Sequence, residues 1–182
     1  DKYEEERGQL VVLYGRRRVG KTETLREFCK GKPHVFFSCT QCADKVQLGR
    51  FSKQLLKENI PAAQYISEFS DWEKAFRAIL ELPYGDKKKL IIVDEFPYMC
   101  KGNATIPSIL QNLWDEGLKD SNVMIILCGS AMSFIEKELL AEKNPLYGRA
   151  TGIYKMREMG FYDACKFFPD YTAREKVVAY AV

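Results

Sequence analysis

"LYGRRRVGKTE", residues 13–23, ends a greasy run with two glycines set around three arginines, followed by a lysine and a threonine. A tight loop needs glycine, but no packing rule asks for a lysine and a hydroxyl beside the second one. The order Gly15, four residues, Gly20, Lys21, Thr22 is the phosphate-loop pattern. The candidate nucleotide-binding residues are therefore Gly15, Arg16, Arg17, Arg18, Val19, Gly20, Lys21, Thr22 and Glu23. Glycines let the backbone wrap so that successive N–H groups point at phosphate oxygens. The following helix offers its positive N-terminus to the same anion. Lys21 would reach the outer phosphates as a point charge, and the Thr22 hydroxyl would ligate Mg2+. The loop follows a β-rich run and opens a helical pattern, which is the context the motif requires.

A second element lies about 70 residues on, where "LIIVDEF" ends four apolar β-formers in two carboxylates. Buried acids without partners are costly, so the pair makes no sense as core. At the carboxyl edge of a parallel sheet, where ligands bind, it does. Asp94 would hold Mg2+ through water, and Glu95 would orient or deprotonate an attacking water. That second acid argues for hydrolysis.

In "VMIILCGSAMSF" a buried strand ends at Gly129 and Ser130 before a helix starts. If this strand neighbours the first, Ser130 could sense the terminal phosphate. Glycine and serine also start helices for local reasons, so sensing and capping both stand.

Composition sets the frame. A chain of 182 residues suits one domain, and 46% hydrophobic with 29% charged residues excludes a disordered chain. No apolar run reaches the roughly 18 residues of a spanning helix, and the start "DKYEEERGQL" is no signal peptide. The expected location is the cytoplasm. The 28 basic and 25 acidic residues nearly cancel, so charge alone does not indicate nucleic-acid binding. A zinc set could be assembled from Cys29, His34, Cys39 and Cys42, but structural zinc sites usually show two recognisable pairs; reduced thiols are the better reading.

Strand-like runs at 9–14, 34–39, 90–95, 123–129 and 152–156 alternate with helical patterns at 20–30, 45–58, 70–82, 105–118 and 133–141. Their aromatic and aliphatic stripes include Trp72, Phe76, Ile79 and Leu80 as expected core. Ser70–Glu73, Ser133–Glu136 and Thr172–Glu175 have capping-box spacing. The alternation implies βαβ units and a parallel sheet with helices on both faces. The final helix has no C-terminal cap, glycine or polar tail, so the natural protein is expected to continue past Val182.

"LYGRRRVGKTE", "LIIVDEFPYM", "ILCGSAMSF" and "NPLYGRATGIYKM", in this order, resemble the archaeal-type ATPase family of the AAA+/STAND assemblage of P-loop proteins. The resemblance implies a P-loop NTPase three-layer α/β sandwich with a mainly parallel five-stranded sheet. It implies a central loop strand beside the strand ending at Ser130. The core would span residues 1–158 and a helical lid would begin at 159–182, with a winged-helix region beyond. It implies ATP or ADP with Mg2+ as ligands, and DNA, a protein or further copies as candidate partners. Arg149 in "PLYGR" matches a position that serves as sensor or arginine finger; a loop arginine pairing with a nearby acid is the other reading. Two functions stay open: a slow ATPase driving a conformational switch, and a nucleotide-dependent regulatory or DNA-binding module with negligible turnover. A GTPase or small-molecule kinase fits less well. The chain has no Asn-Lys-x-Asp guanine signature, and a kinase needs no water-activating Glu95.

Overall fold

The computed structural model describes residues 2–181; Asp1 and Val182, the last residue of the expected lid segment, lie outside the described residues. Five strands form one wholly parallel sheet: β1 (Gln9–Tyr14), β2 (His34–Ser38), β3 (Lys89–Asp94), β4 (Val123–Gly129) and β5 (Gly152–Lys155). Their order is β2-β3-β4-β1-β5. β1 does lie beside β4, as the resemblance implies, but β4 holds the middle position and β1 is one strand from the edge.

This order decides where the helices go. The step from β1 to β2 crosses the sheet in one direction, and every later step crosses in the other. Right-handed crossovers then put the β1–β2 helix on one face and the later helices on the opposite face. The β1–β2 helix is α1 (Lys21–Cys29). Its Leu25 and Cys29 pack with Val11, Leu90, Ile92, Met124, Ile126 and Cys128. The alternate residues of the same strands, among them Leu10, Val12, Ile91, Val93, Ile125 and Leu127, join the larger core on the other face. That core is covered by α2 (Asp44–Leu56), α3 (Trp72–Arg77), α4 (Phe96–Gly102) and α5 (Ile106–Glu116). Strands buried on both faces read as continuous apolar runs, which is what 90–93 and 123–128 look like.

Past β4 the chain forms one turn of helix, α6 (Met132–Phe134), that widens into a π-helical turn at Ile135–Leu139. After β5 come α7 (Phe161–Ala164) and α8 (Ala173–Ala181), neither with a buried residue. No helix among the described residues is long and apolar enough to cross a membrane.

Several local expectations are corrected. Asp71, not Ser70, caps α3: its carboxylate accepts the Lys74 N–H at 2.8 Å, and the Ser70 hydroxyl donates to Asp71 instead. The helix tightens to a 3₁₀ turn at Ala78–Glu81, which rotates Leu80 out to 37% exposure while Ile79 stays buried. Ser133 lies inside α6, whose cap position is Ala131, and Glu136 bonds to Lys155 rather than to a helix start. The Thr172–Glu175 box does form, with Thr172 donating to the Glu175 carboxylate at 2.7 Å. The short helix α4 has no counterpart among the expected elements.

Candidate nucleotide-binding site

β1 ends at Tyr14, and the loop that follows turns back into α1 through two left-handed residues, Arg18 (φ 66°) and Gly20 (φ 91°). Gly20 is the cap position of α1, and no side chain caps it, so the first-turn N–H groups of Lys21, Thr22 and Glu23 face outward for an anion. Gly15 is needed for a different reason from turn freedom: a Cβ there would stand 2.2 Å from the Met156 carbonyl oxygen. The chain leaving β5 presses against the loop at this point, where the Met156 N–H also donates to Tyr14 O. Val19 is buried and anchors the loop, whereas Arg16, Arg17 and Arg18 are exposed.

Lys21 is buried, with its ammonium inside the loop, donating to Gly15 O at 2.8 Å and Arg16 O at 2.7 Å. The Thr22 hydroxyl donates to Asp94 Oδ2 at 2.9 Å. Asp94 is the last residue of β3 and is itself buried. Its other oxygen accepts the Glu95 N–H at 3.0 Å, and the Cys128 thiol neighbours the same carboxylate. Burial, followed by the Asp94 charge, pushes that thiol well above its ordinary range, so Cys128 stays neutral beside the acid. A hydroxyl and a carboxylate held side by side fit Mg2+, which takes one or two protein ligands and completes its shell with phosphates and water.

Glu95 sits in the left-handed region at φ 51°, ψ 41°, and is the cap position of α4. A non-glycine residue there costs of order 1 kcal/mol or more, and such outliers cluster at functional sites. Its carboxylate meets Ser130: the hydroxyl lies 2.8 Å from Oε1 and 3.1 Å from Oε2, and the Ser130 N–H donates to Oε2 at 3.3 Å. Gly129 makes this approach feasible, since a Cβ there would stand 2.7 Å from the Pro97 ring in the first turn of α4.

Thus Gly15, Gly20, Lys21, Thr22, Asp94, Glu95 and Ser130 converge at the carboxyl edge of the sheet. Glu23 lies on the first turn of α1, but its exposed carboxylate pairs with Arg26 at 2.8 Å. Arg149 is not brought to this site. It precedes β5, whose Gly152 is in register with Val11, and Thr151 donates to Leu10 O, so Arg149 lies toward the amino edge of the sheet. There its guanidinium grips Asp115 of α5, with Nη2 at 2.6 Å and Nε at 3.1 Å. The pairing with a nearby acid is the reading that the geometry matches.

Sequence reasoning missed Met156, Tyr98 and Cys128. Met156 touches the loop at Gly15 and Gly20. The Tyr98 hydroxyl accepts from Arg17 at 3.4 Å, linking α4 to the loop. Only the "DEFPY" and "GIYKM" runs hinted at the first two. Among the described residues no three His, Cys, Asp or Glu side chains converge as metal ligands.

A family model described as an ATPase domain predominantly from Archaea matches residues 1–177. The chain belongs to this ATPase family. It is 31% identical over 172 residues to MJECL04, an uncharacterized protein of Methanocaldococcus jannaschii, covering 94% of this chain and 36% of that protein. The ATPase domain therefore spans about a third of that relative's length. Among solved structures, the Walker-type ATPase PABY2304 of Pyrococcus abyssi superimposes with a TM-score of 0.66 at 19% identity, over 93% of this chain and 57% of that one. The ORC2 protein of Aeropyrum pernix, in its ADPNP and ADP complexes, gives 0.61 at 13% identity over 89% and 45% of the two chains. Drosophila ORC bound to DNA gives 0.64 at 16% identity over 90% and 41%. At these identities the superpositions establish the fold of the ATPase domain: a parallel α/β P-loop architecture.

Proposed function

We propose that this domain binds ATP with Mg2+ and hydrolyses it slowly, and that the nucleotide state drives a conformational switch in a larger protein. The observation that carries the reading is the 2.9 Å bond from Thr22 to Asp94, which joins the phosphate loop to the acid-ended strand. The open first turn of α1 and the Lys21 ammonium would bind the phosphates, and Thr22 and Asp94 would hold the metal. Mg2+, when bound, supplies charge neutralisation on the phosphate oxygens. Glu95 accepts a proton from a water whose oxygen bonds to the terminal phosphorus, as the bond to the leaving diphosphate oxygen breaks; ADP and phosphate result. Residues 1–158 would form the catalytic core, and 159–182 the beginning of a helical lid leading to a winged-helix region.

The test is nucleotide binding and phosphate release by the purified chain and two variants. Lys21→Ala is expected to lose ATP binding. Glu95→Gln is expected to keep binding and lose turnover by about 10²- to 10⁴-fold. A chain that binds no ATP with Mg2+, or a Glu95→Gln variant with undiminished turnover, would overturn the proposal.

A second reading is a nucleotide-dependent regulatory or DNA-binding module with negligible turnover. It is favoured by the exposed Arg16, Arg17 and Arg18 at the loop mouth and by the likeness to an ORC solved with DNA. Nucleotide-dependent DNA binding without phosphate release would favour it over the first.

A further inference from the structure

We infer that Ser130 acts on Glu95 and not on the nucleotide: it is a positioning residue that holds the water-activating carboxylate at the end of β4. The inference rests on the proposed hydrolytic role of Glu95.

Three features of the chain converge on this pair. First, the Ser130 hydroxyl has no capping task. The cap position of α6 is Ala131, no side chain caps that helix, and the Ser130 backbone carbonyl accepts the Met132 N–H. The hydroxyl goes instead to Glu95, within 2.8 Å of one carboxylate oxygen and 3.1 Å of the other. The Ser130 N–H adds a third approach at 3.3 Å, so both oxygens are gripped from one residue. A hydroxyl can donate only one proton, and a carboxylate has about four acceptor positions, so lone pairs remain for a water.

Second, the backbone of Glu95 is held in an unfavourable region that the rest of the site must maintain. Its φ of 51° turns the chain sharply out of β3 into α4, and its carbonyl accepts the Tyr98 N–H at 2.9 Å. A residue so held returns to an ordinary conformation when its restraints are removed. The side-chain grip by Ser130 is one such restraint.

Third, the fit depends on a missing side chain. Gly129 lets Pro97 close to within 2.7 Å of where a Cβ would be, which brings the first turn of α4 against the end of β4. Gly129, Ser130, Glu95 and Pro97 therefore form one contact at the ends of β3 and β4, and Gly129 is also in register with Tyr14, the residue before the phosphate loop.

Acting on Glu95 and contacting the terminal phosphate give different signatures. A residue that only orients the base lowers kcat and leaves nucleotide affinity alone. A phosphate contact is lost from ATP binding but not from ADP binding. The experiment measures kcat, and the affinity of fluorescent ATP and ADP analogues with Mg2+, for the 182-residue chain, Ser130→Ala, Ser130→Thr, Glu95→Gln and the Ser130→Ala/Glu95→Gln double variant. Hydrogen exchange at residues 95–98 is followed without nucleotide. The inference expects Ser130→Ala to lose about 10- to 100-fold in kcat, as for a bond to a charged group. It expects both affinities within about twofold of the parent. Ser130→Thr, which keeps the hydroxyl, should restore most of the rate. The double variant should be no slower than Glu95→Gln alone, because the two act as a unit. Exchange at 95–98 should quicken in Ser130→Ala. Weaker binding of ATP but not ADP, a double variant slowed by the product of the single effects, or unchanged exchange would each overturn the inference. Absence of ATP binding by the parent chain would overturn the hydrolytic proposal; the exchange measurement would still decide whether Ser130 restrains Glu95.

Discussion

Thr22 Oγ1 and Asp94 Oδ2 lie 2.9 Å apart although 72 positions separate them in the chain. The bond crosses from the first turn of α1 to the tip of β3, and both groups are partly withdrawn from water. Replacing the carboxylate by an amide keeps the shape and removes the charge that a divalent cation needs. Asp94→Asn is expected to raise the Mg2+ concentration for half-maximal turnover by about tenfold or more. A chelator should stop turnover in the parent. Phosphate release titrated against Mg2+ checks both, and an unchanged Mg2+ requirement would exclude Asp94 from the metal's surroundings.

Gly15→Ala separates close approach from loop freedom. The added methyl would stand 2.2 Å from the Met156 carbonyl oxygen, a backbone atom that cannot swing aside. β5 must shift away from β1, as in an overpacked core, at a cost of about 1–3 kcal/mol or more. Thermal unfolding should show a clear fall in Tm. Crowding at Gly20 is milder, since only the flexible end of Met156 lies near, at 3.7 Å, but its φ of 91° disfavours any side chain.

Arg149→Ala should leave turnover by this chain unchanged, because the guanidinium is committed to Asp115 toward the opposite edge of the sheet. The pair is largely solvated, so its loss should cost at most about 1 kcal/mol. A large fall in turnover at a protein concentration where the chain is monomeric would contradict this placement.

Acid should weaken the fold through named carboxyls. The Lys74 N–H holds the Asp71 carboxyl below its ordinary 3.8, and the Arg149 hydrogen bond does the same for Asp115. A carboxyl depressed in the folded state contributes stability that is complete above its unfolded value and is lost as pH falls through the folded one. Stability should therefore drop below about pH 4. Asp71→Ala should remove about 1 kcal/mol at pH 7 and flatten that acid limb, as read from denaturant unfolding at several pH values.

The sheet was legible because its inner strands, β1, β3 and β4, are buried on both faces. Gln9–Tyr14 and Val123–Gly129 have the bounds that the residue pattern predicts. α4 escaped because Phe96, Pro97, Tyr98 and Met99 look like a loop after two acids; Pro97 is in fact accommodated in the first turn, where its missing N–H costs nothing. Leu80 escaped because a change of helical pitch is a tertiary outcome, invisible to a fixed 3.6-residue period. In the site, Lys21, Thr22, Asp94 and Glu95 were readable from motif chemistry. The contacts of Met156 and Tyr98 were not, since they depend on which strand follows which in the sheet. Ser130 was found, but its partner was not, because that needed the left-handed turn at Glu95.

α1 is nine residues long, about two and a half turns, and among the described residues it is the helix that covers its face of the sheet. The same short rod carries Lys21 and Thr22 at one end and buries Leu25 and Cys29 along its underside. Under the proposed function, grip on the anion and cohesion of that face are therefore borne by a single lever. A methyl removed from Leu25 would be felt at the mouth of the loop, and a ligand seated there would stiffen the thinner side of the domain.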